Sequence, residues 1–277
     1  MLPWLMPAAL CWGDRRRPHT PYGMSKSLAL SLDALPVQPA TVVSSLGRTI
    51  VIAPHPDDES LGCGGLMALL RAAQVPVAAV LVSDGTMSHP NSRKYPPVAR
   101  RALREAEFTT ALRILGVEPR ASLLLRLPDG AVPTRENFLF EEAVTALASF
   151  LTLWRPSTLV VPWRRDPHPD HRATSQLVHA AVARSSSSPR LLEYLVWAWE
   201  RAAPADLPRA DEVTGWRLDV SAVLTQKQQA IAAHRSQIDG SIDDDPTGFQ
   251  LAPQMLAHFA QPYEVYLEAI RPTVVGT

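Results

Sequence analysis

The stretch TIVIAPHPDDESLGCGG, residues 49–65, decides the fold, because an apolar run at 50–53 gives way abruptly to charge. One histidine and three carboxylates follow within residues 55–59. A short, β-branched apolar run predicts a strand that is buried on both faces. Carboxylates packed at the end of a buried strand repel one another and are costly to desolvate unless a positive charge offsets them. The stretch therefore predicts a buried strand followed by a loop that needs a cationic partner.

Predicted strands and helices alternate along the chain from residue 48 onward. The predicted strands are 49–53, 75–85, 122–130, 157–163, 191–200 and 215–220, and the predicted helices are 66–73, 98–117, 137–153, 170–184 and 222–237. This order predicts an α/β fold, a Rossmann-like three-layer sandwich with a mostly parallel sheet. Ligands of such folds bind beyond the carboxyl ends of the strands. We therefore expect His55, Asp84, Asp129 and Asp166, which follow predicted strands, to converge on one rim.

A second motif, RRDPHPDHRAT at 164–174, repeats the His-Pro-Asp pattern of the first and also follows a predicted strand. Mixed nitrogen and oxygen ligands suit Zn²⁺, which in catalytic sites takes three protein ligands and keeps one open position. Three residues fit that description, namely His55, Asp58 and His171. Asp57 is then free to act as a base, and His168 to stabilise or protonate what forms. Alternatively, either motif is a capped turn, and Asp170 caps the next helix or orients a histidine.

The composition limits the class of protein. The chain has 277 residues, of which 46% are hydrophobic, so a large core is expected. Its 27 basic residues balance 27 acidic ones, so no overall field favours nucleic acid or an acidic membrane. Two cysteines, Cys11 and Cys63, exclude a disulfide framework and fit a reducing, cytoplasmic location. The N-terminal apolar run lacks the preceding charge of a signal peptide and is too short to span a bilayer, and Met24 is an alternative start.

The two motifs together carry a family resemblance. PHPDDE at 54–59 with HPDH at 168–171 resembles the PIG-L/LmbE-like zinc deacetylases, which remove N-acetyl groups from amino sugars. The resemblance covers about residues 48–240, and lesser matches follow in the family's order: SDG at 83–85, REAE at 104–107, LPDG at 127–130 and KQQAIAAHRSQ at 227–237. It implies a deacetylase domain over 48–277, preceded by a partly disordered extension over 1–47.

The resemblance also implies roles for individual residues. It implies Zn²⁺ as the cofactor, with Fe²⁺ as another possibility, and three ligands: His55, Asp58 and His171. Asp57 would be the general base. His168 would be the electrophilic or acid partner, held by Asp170. The substrate would be a small N-acyl amino sugar or glycoside.

Substrate contacts are expected from four residues. By resemblance, Arg104 reaches the substrate and His234 lines the pocket, while Asp84 and Asp129 either accept sugar hydroxyls or cap turns. Arg104 could instead pair with the neighbouring glutamates. Family members of thiol pathways carry a tyrosine two residues before the first histidine of the second motif, whereas this chain has Asp166. The tyrosine's role in stabilising the oxyanion would pass to His168 and zinc in this chain. The missing tyrosine also disfavours a thiol precursor as substrate.

Three rival functions remain open from the residues alone. His55, Asp57 and His171 also form the two-His-one-carboxylate set of an Fe(II) oxygenase. LGCGG at 61–65, if it opens a helix, resembles the glycine loop of a methyltransferase. A non-catalytic zinc- or sugar-binding module is the third.

Glu59 is predicted either to accept a hydrogen bond from the loop or to take part in catalysis. Most of the tryptophans are expected in the core: Trp163, Trp197, Trp199 and Trp216.

Overall fold

The computed structural model describes residues 29–270, so the predicted N-terminal run, Cys11 and the alternative start lie outside the described part. Within it, eight strands form one sheet: β1 (Val37–Gln38), β2 (Thr49–Ala53), β3 (Val77–Ser83), β4 (Leu123–Leu127), β5 (Thr158–Pro162), β6 (Arg190–Tyr194), β7 (Val213–Asp219) and β8 (Tyr263–Ala269). The α-helices in the same range are α1 (Asp58–Ala72), α2 (Pro97–Ile114), α3 (Phe138–Trp154), α4 (Pro169–Arg184), α5 (Ala198–Arg201), α6 (Leu224–Ala232) and α7 (Pro253–Phe259).

The sheet order is β1-β7-β8-β6-β5-β2-β3-β4. All pairings are parallel except the two that β8 makes with β6 and β7. The predicted mostly parallel α/β sheet is therefore confirmed. From β2 the chain first extends the sheet through β3 and β4, then crosses to β5 on the other side. The switch point between β2 and β5 is where such sheets bind ligands, and each of the two histidine motifs follows one of these strands.

Strand β2 is buried along its whole length because helices cover both faces of the sheet. Ile50 and Ile52 point to one face, where they pack with residues of α3 and α4. Val51 and Ala53 point to the other, where α1, α2 and α6 supply the partners. Each core lies between the sheet and one layer of helices, so the structure has the predicted three layers. They also explain why the strand reads as a continuous apolar run rather than an alternating one.

The glycines of the first motif lie inside α1, which begins at Asp58, so the prediction of a helix only from residue 66 was wrong. A Cβ at Gly62 would lie 2.3 Å from the Tyr194 ring, and one at Gly65 would lie 2.5 Å from Val220. The glycines thus let a helix pack closely on several sides, which offsets their low helix propensity. They do not form a glycine loop that opens a helix, so the methyltransferase reading loses its premise.

Four further elements in the second half differ from prediction. The strand predicted over 191–200 ends at Tyr194, and the chain turns so that the Trp197 N–H donates to Asp166 at 3.1 Å. The helix predicted over 222–237 ends at Ala232, and a 3-10 turn follows. In that turn the Ser236 N–H donates to the Glu107 carboxylate at 2.7 Å instead of to a helix carbonyl. Neither α7 nor β8 was predicted from the sequence.

Part of the predicted N-terminal extension packs on the domain. Leu35, Val43 and Leu46 are buried, and β1 pairs in parallel with β7. The domain core therefore includes side chains upstream of residue 48. Between residues 29 and 270, no helix combines the length and apolar character needed to cross a bilayer.

Candidate metal and catalytic site

A cavity of about 210 Å³ opens at the carboxyl ends of β2 and β5. Its polar lining includes His55, Asp57 and Asp58 from the first motif and His168 from the second. The two motifs, more than a hundred residues apart, thus meet at the switch point of the sheet. Of the four strand-end residues predicted to converge on one rim, His55 and Asp129 line this cavity, whereas Asp84 and Asp166 do not.

Asp58 lies between two imidazoles. Its Oδ2 atom is 3.3 Å from His55 Nδ1 and 3.2 Å from His171 Nε2, and it accepts the His55 backbone N–H at 2.8 Å. The three-residue spacing works because Asp58 opens α1, so its side chain folds back onto the loop. His171 is fully buried, yet neither of its ring nitrogens forms a hydrogen bond with any of residues 29–270. Unsatisfied imidazole nitrogens beside a carboxylate fit a divalent cation.

Charge balance supports the same fit. Burial alone would raise the pKa of Asp58, but His171 and His55 hold it well below its usual range. The carboxylate is therefore ionised and available as a ligand. Ring nitrogens of His55, His168 and His171 also lie within 4.8 Å of one another. The donor set of imidazole nitrogen and carboxylate oxygen suits Zn²⁺ or Fe²⁺.

Asp170 contacts a different histidine from the one expected. Its carboxylate lies 3.1 Å from His55 Nε2 and accepts two backbone N–H groups of the 130–132 loop. Its only hydrogen bond to His168 runs from the Asp170 backbone N–H to His168 Nδ1, at 3.2 Å. The carboxylate therefore does not hold His168. It sits in the first turn of α4, facing that loop, and supports His55 on the side opposite Asp58.

His168 is a neutral imidazole that faces the cavity. Because Nδ1 accepts a backbone N–H, the hydrogen-bond network assigns the ring proton to Nε2. Burial, and then the neighbouring His55 and His171, lower the pKa of His168 to about 4. At neutral pH His168 is therefore mainly the neutral imidazole and not the cation, which was one of the expected forms. The residue can donate its Nε2–H to an oxygen in the cavity.

Asp57, the carboxylate just before Asp58 in the first motif, pairs with a cation from α2. Arg104 Nη2 lies 3.1 Å from Asp57 Oδ2, and both residues line the cavity. Burial raises the pKa of Asp57 to about 6, against the charge of Arg104. A carboxyl group with such a pKa can both accept and release a proton near neutral pH.

Asp166, at the position of the family's tyrosine, is fully buried behind the second motif. One oxygen accepts the His168 backbone N–H at 2.9 Å and lies 3.5 Å from His171 Nδ1. The other accepts the backbone N–H of Trp197. It does not line the cavity. Asp166 therefore orients the second motif and its imidazole instead of contacting substrate.

Two of the four expected substrate residues line the cavity. Arg104 and Asp129 do, and Asp129 Oδ1 lies 3.3 Å from His55 Nε2. Asp84 instead accepts the Thr86 N–H at 3.1 Å and so caps a turn, which was the alternative interpretation. His234 does not line the cavity, because it is buried with its Nε2 atom 2.8 Å from Glu59 Oε1.

Most of the remaining wall of the cavity consists of residues that were not predicted from the sequence. Gln237 adds an amide, and Trp197 is largely buried, as expected, but stacks on His168 with ring centroids 6.1 Å apart. The carbon of the Arg201 guanidinium lies over the Trp197 ring, 4.0 Å from the ring centroid. The apolar wall comes from separate loops and helix ends: Leu61, Met87, Val196, Trp197, Phe249 and Leu251. No local pattern marks these residues as neighbours.

Comparison with known proteins places this geometry in a family. The PIG-L family model, described as GlcNAc-PI de-N-acetylase, matches residues 50–182, which include both motifs. The chain is similar to a probable N-acetyl-alpha-D-glucosaminyl L-malate deacetylase 2 of Bacillus subtilis (strain 168), with 30% identity over 200 residues, 70% of this chain and 85% of that protein. It is also 30% identical over 247 residues to a 1D-myo-inositol 2-acetamido-2-deoxy-alpha-D-glucopyranoside deacetylase of Nocardia farcinica (strain IFM 10152), 70% of this chain and 82% of that one.

A solved structure shows the same fold. N,N'-diacetylchitobiose deacetylase from Pyrococcus horikoshii superposes with a TM-score of 0.61 at 22% identity, over 82% of this chain and 87% of that one. At this identity the likeness concerns the fold alone. Taken with the sequence relatives and the matched motifs, it leads to one conclusion: the chain belongs to the PIG-L (LmbE-like) deacetylase family.

Proposed function

We propose that the protein is a metal-dependent hydrolase that removes an N-acetyl or other N-acyl group from an amino sugar or its glycoside. The observation that carries the proposal is the meeting of His55, Asp58 and His171 at one cavity with a second carboxylate, Asp57, and a neutral imidazole, His168. Metal-assisted amide hydrolysis uses a cation site, a proton acceptor and a hydrogen-bond donor to the carbonyl oxygen. Family membership supports the same reaction.

His55, Asp58 and His171 would hold the ion. A divalent ion such as Zn²⁺ supplies Lewis acidity, which acidifies water and polarises a carbonyl group. Asp170 and Asp166 support two of the ligand imidazoles from behind. Loss of such supporting carboxylates usually lowers metal affinity.

Asp57 transfers the proton in the reaction, and His168 donates a hydrogen bond to the carbonyl oxygen. Asp57 accepts the proton of the attacking water, whose oxygen forms a bond to the acyl carbon. His168 donates its Nε2–H in a hydrogen bond to the carbonyl oxygen as that oxygen gains negative charge, a contact whose loss typically costs about 3–4 kcal/mol. When the carbon–nitrogen bond breaks, Asp57 passes its proton to the leaving nitrogen. The products are a carboxylic acid and a primary amine, and Asp57 returns to its starting state.

The polar part of the cavity suits a sugar. Asp129, Arg104 and Gln237 offer acceptors and donors for hydroxyl groups near the reacting centre. The relatives' names specify GlcNAc-malate and GlcNAc-inositol as substrates, which supports a small N-acetylglucosamine derivative for this chain. A cytoplasmic location stays a prediction from the cysteine count.

Two rival functions have less support. An Fe(II) oxygenase that used Asp57 as its carboxylate ligand would need that group between the imidazoles, whereas Asp58 lies there and Asp57 pairs with Arg104. Such oxygenases also use β-barrel folds. A non-catalytic binding module has no need of Asp57 and His168 beside the ligand set.

The test is primary-amine release from a panel of N-acylated sugars and glycosides, with and without chelator. We expect Asp57→Ala to keep its metal and lose about 100-fold or more in turnover, because it removes the general base. His171→Ala should lose both metal and activity. His179→Ala, on the exposed side of the same helix, is the matched control and should lose neither. Equal metal loss in the Asp57 and His171 variants would contradict the roles, and no amine release from any substrate would favour a binding module.

A further inference from the structure

Asp57 has an unusual main-chain conformation. Its φ is 139°, whereas the other non-glycine residues with positive φ in the described range lie between 49° and 59°: Gln74, Arg126 and Arg155. Those three occupy the ordinary left-handed region. The Asp57 conformation is sterically disfavoured for any residue with a Cβ and persists only where surrounding contacts hold it.

Glu59 provides one of those contacts. Its Oε2 atom accepts the Asp57 backbone N–H at 3.0 Å, so the carboxylate fixes the peptide on the N-terminal side of the strained residue. The other oxygen accepts the Ser60 hydroxyl at 2.6 Å and lies 2.8 Å from His234 Nε2. Glu59 and His234 are both fully buried. The carboxylate is thus anchored by a residue 175 positions away.

Arg104 provides the second contact, from the opposite side. It donates to the Pro56 carbonyl and to the Asp57 carboxylate. Ser236 lies 3.5 Å from the guanidinium and is itself held by two 2.7 Å hydrogen bonds to Glu107. The segment 234–237 therefore reaches Asp57 by two routes, one through Glu59 and one through Arg104.

We propose that Glu59, anchored by His234, is a positioning residue that holds Asp57 in its strained conformation and so aims its carboxylate into the cavity. Neither Glu59 nor His234 lines the cavity. Loss of Glu59 therefore lowers kcat while leaving KM and metal content nearly unchanged. The inference rests on the proposed function only in taking Asp57 as the base.

The experiment compares Glu59→Ala with Glu59→Gln in steady-state kinetics and metal analysis. A misplaced base typically costs about 100-fold, so Glu59→Ala should lose about that much in kcat, with KM changed by less than about threefold. Glu59→Gln keeps an oxygen that accepts the Asp57 N–H and should recover most of the loss. Failure of the glutamine variant to recover activity would overturn the positioning role.

The matched control is a carboxylate on β8 that contacts α1 further along the helix. Glu264 is also buried, and it accepts the backbone N–H groups of Gly65 and Leu66, within α1. Glu264→Ala removes a comparable carboxylate contact far from Asp57, and Glu264→Gln serves if the alanine variant does not fold. Turnover should stay within about threefold of wild type. If the Glu264 variant lost as much kcat as Glu59→Ala, the effect of Glu59 would be a general stabilisation of helix α1 and not the positioning of Asp57.

A crystal structure of Glu59→Ala provides a readout that needs no activity. We expect residue 57 to leave its positive φ and its carboxylate to move away from Arg104. An unchanged φ would overturn the inference, whatever the kinetics. Wild type without deacetylase activity would overturn the proposed function, while the crystal structure would still decide whether Glu59 holds this conformation.

The apolar wall of the cavity carries a second, independent inference. The cavity volume of about 210 Å³ is smaller than the roughly 300–1,000 Å³ of sites that bury drug-sized ligands, so a substrate larger than one sugar extends past it. Met87 at this wall is 53% exposed, so its side chain is accessible to a ligand that extends out of the cavity. Phe249 packs edge-on against Trp197, with ring centroids 5.6 Å apart.

We infer that the substrate carries an apolar group next to its sugar, either in the aglycone or in the acyl chain. The malate and inositol groups named for the relatives are polar and gain little from such a wall. Phe249, Met87 and Leu251 would cover the apolar group, while the sugar occupies the polar floor. The inference deepens the proposed function by naming the substrate class.

Calorimetric binding measurements test it without turnover. One arm compares the methyl and phenyl glycosides of glucosamine, and the other compares N-acetyl with N-hexanoyl glucosamine bound to the Asp57→Ala variant. We expect at least about tenfold tighter binding of the apolar partner in one arm, which identifies its position. Phe249→Ser should remove the difference, and Phe138→Ser, at a residue that is 75% exposed and outside the cavity lining, should not. Equal binding in both arms would overturn the inference. Absence of amine release would bear only on the proposed function.

Discussion

The conformation of Asp57 predicts an inverted order of stability between two variants that both lose the carboxylate. Asp57→Gly and Asp57→Ala remove the same ion pair with Arg104 and the same repulsion with Asp58. They differ in the Cβ atom alone, and the φ of 139° is disfavoured only for a residue that has one. We therefore expect the glycine variant to be the more stable of the two.

The magnitude follows from two opposing effects. Strain at a sparsely populated backbone conformation costs about 1–3 kcal/mol, and glycine avoids it. Glycine in turn costs about 0.4–1 kcal/mol relative to alanine, because it makes the unfolded chain more flexible. Taking the middle of each range leaves a net difference of about 1.3 kcal/mol in favour of glycine. For a chain of this size each kcal/mol shifts Tm by about 2–4 °C.

The assay is urea unfolding of both variants in chelator, so that metal binding does not contribute to the free energy of unfolding. Ala102→Gly is the control at an exposed position in the helix α2, where we expect the usual loss of about 1 kcal/mol. The reasoning is supported if glycine is more stable than alanine at position 57 and less stable than alanine at position 102. An Asp57→Ala variant as stable as Asp57→Gly would show that residue 57 is not strained, and the positioning role of Glu59 would lose its basis.

The remaining predictions concern the metal support, a buried histidine and a buried ion pair. Asp170→Asn should weaken divalent-metal binding by about 10–100-fold, because it removes the charge 3.1 Å from His55 Nε2; unchanged affinity in a chelator competition would contradict this. Burial disfavours a charged His234, but Glu59 outweighs burial and raises the pKa of His234 above 6.5. The pair of His234 and Glu59 therefore stabilises the folded state fully below pH 6.5, and this stabilisation is lost as the pH rises through the folded-state pKa of His234. Between about pH 6 and 9, metal-free wild type should therefore lose more unfolding free energy than His234→Gln does, and parallel pH profiles would refute the pairing. Lys227→Met leaves Glu264 buried without its partner at 2.9 Å and should cost about 3–5 kcal/mol in urea unfolding. Adding Glu264→Gln should recover most of that, and a double variant no more stable than the single one would show that the buried charge is not the cause.

Much of the candidate site could be predicted because strand ends are easy to locate. An apolar run that stops at a cluster of histidines and carboxylates marks the carboxyl end of a buried strand, and parallel strands share that edge. His55, Asp58, His171 and His168 therefore meet as expected. The roles of these residues in metal binding and catalysis stay predictions until they are tested.

Contacts inside the site could not be predicted in the same way. Asp170 precedes His171 and follows His168 in sequence, yet its carboxylate contacts His55, because the first turn of α4 faces the 130–132 loop. His234 was expected at the pocket wall and lies behind Glu59. Such choices depend on side-chain direction after the elements have packed, which residue spacing does not encode.

The sequence by itself determined the α/β alternation, the parallel sheet and the edge at which the two histidine motifs meet. Each of these follows from local periodicity and from the geometry of parallel strands. Only the tertiary structure decided that β8 runs antiparallel between β6 and β7, that the glycines of α1 lie inside the helix, and that His234 anchors Glu59 across 175 positions. The physical reason is that these features arise from close approach between distant segments, where the partner of a buried group is fixed by packing and not by its neighbours in the chain.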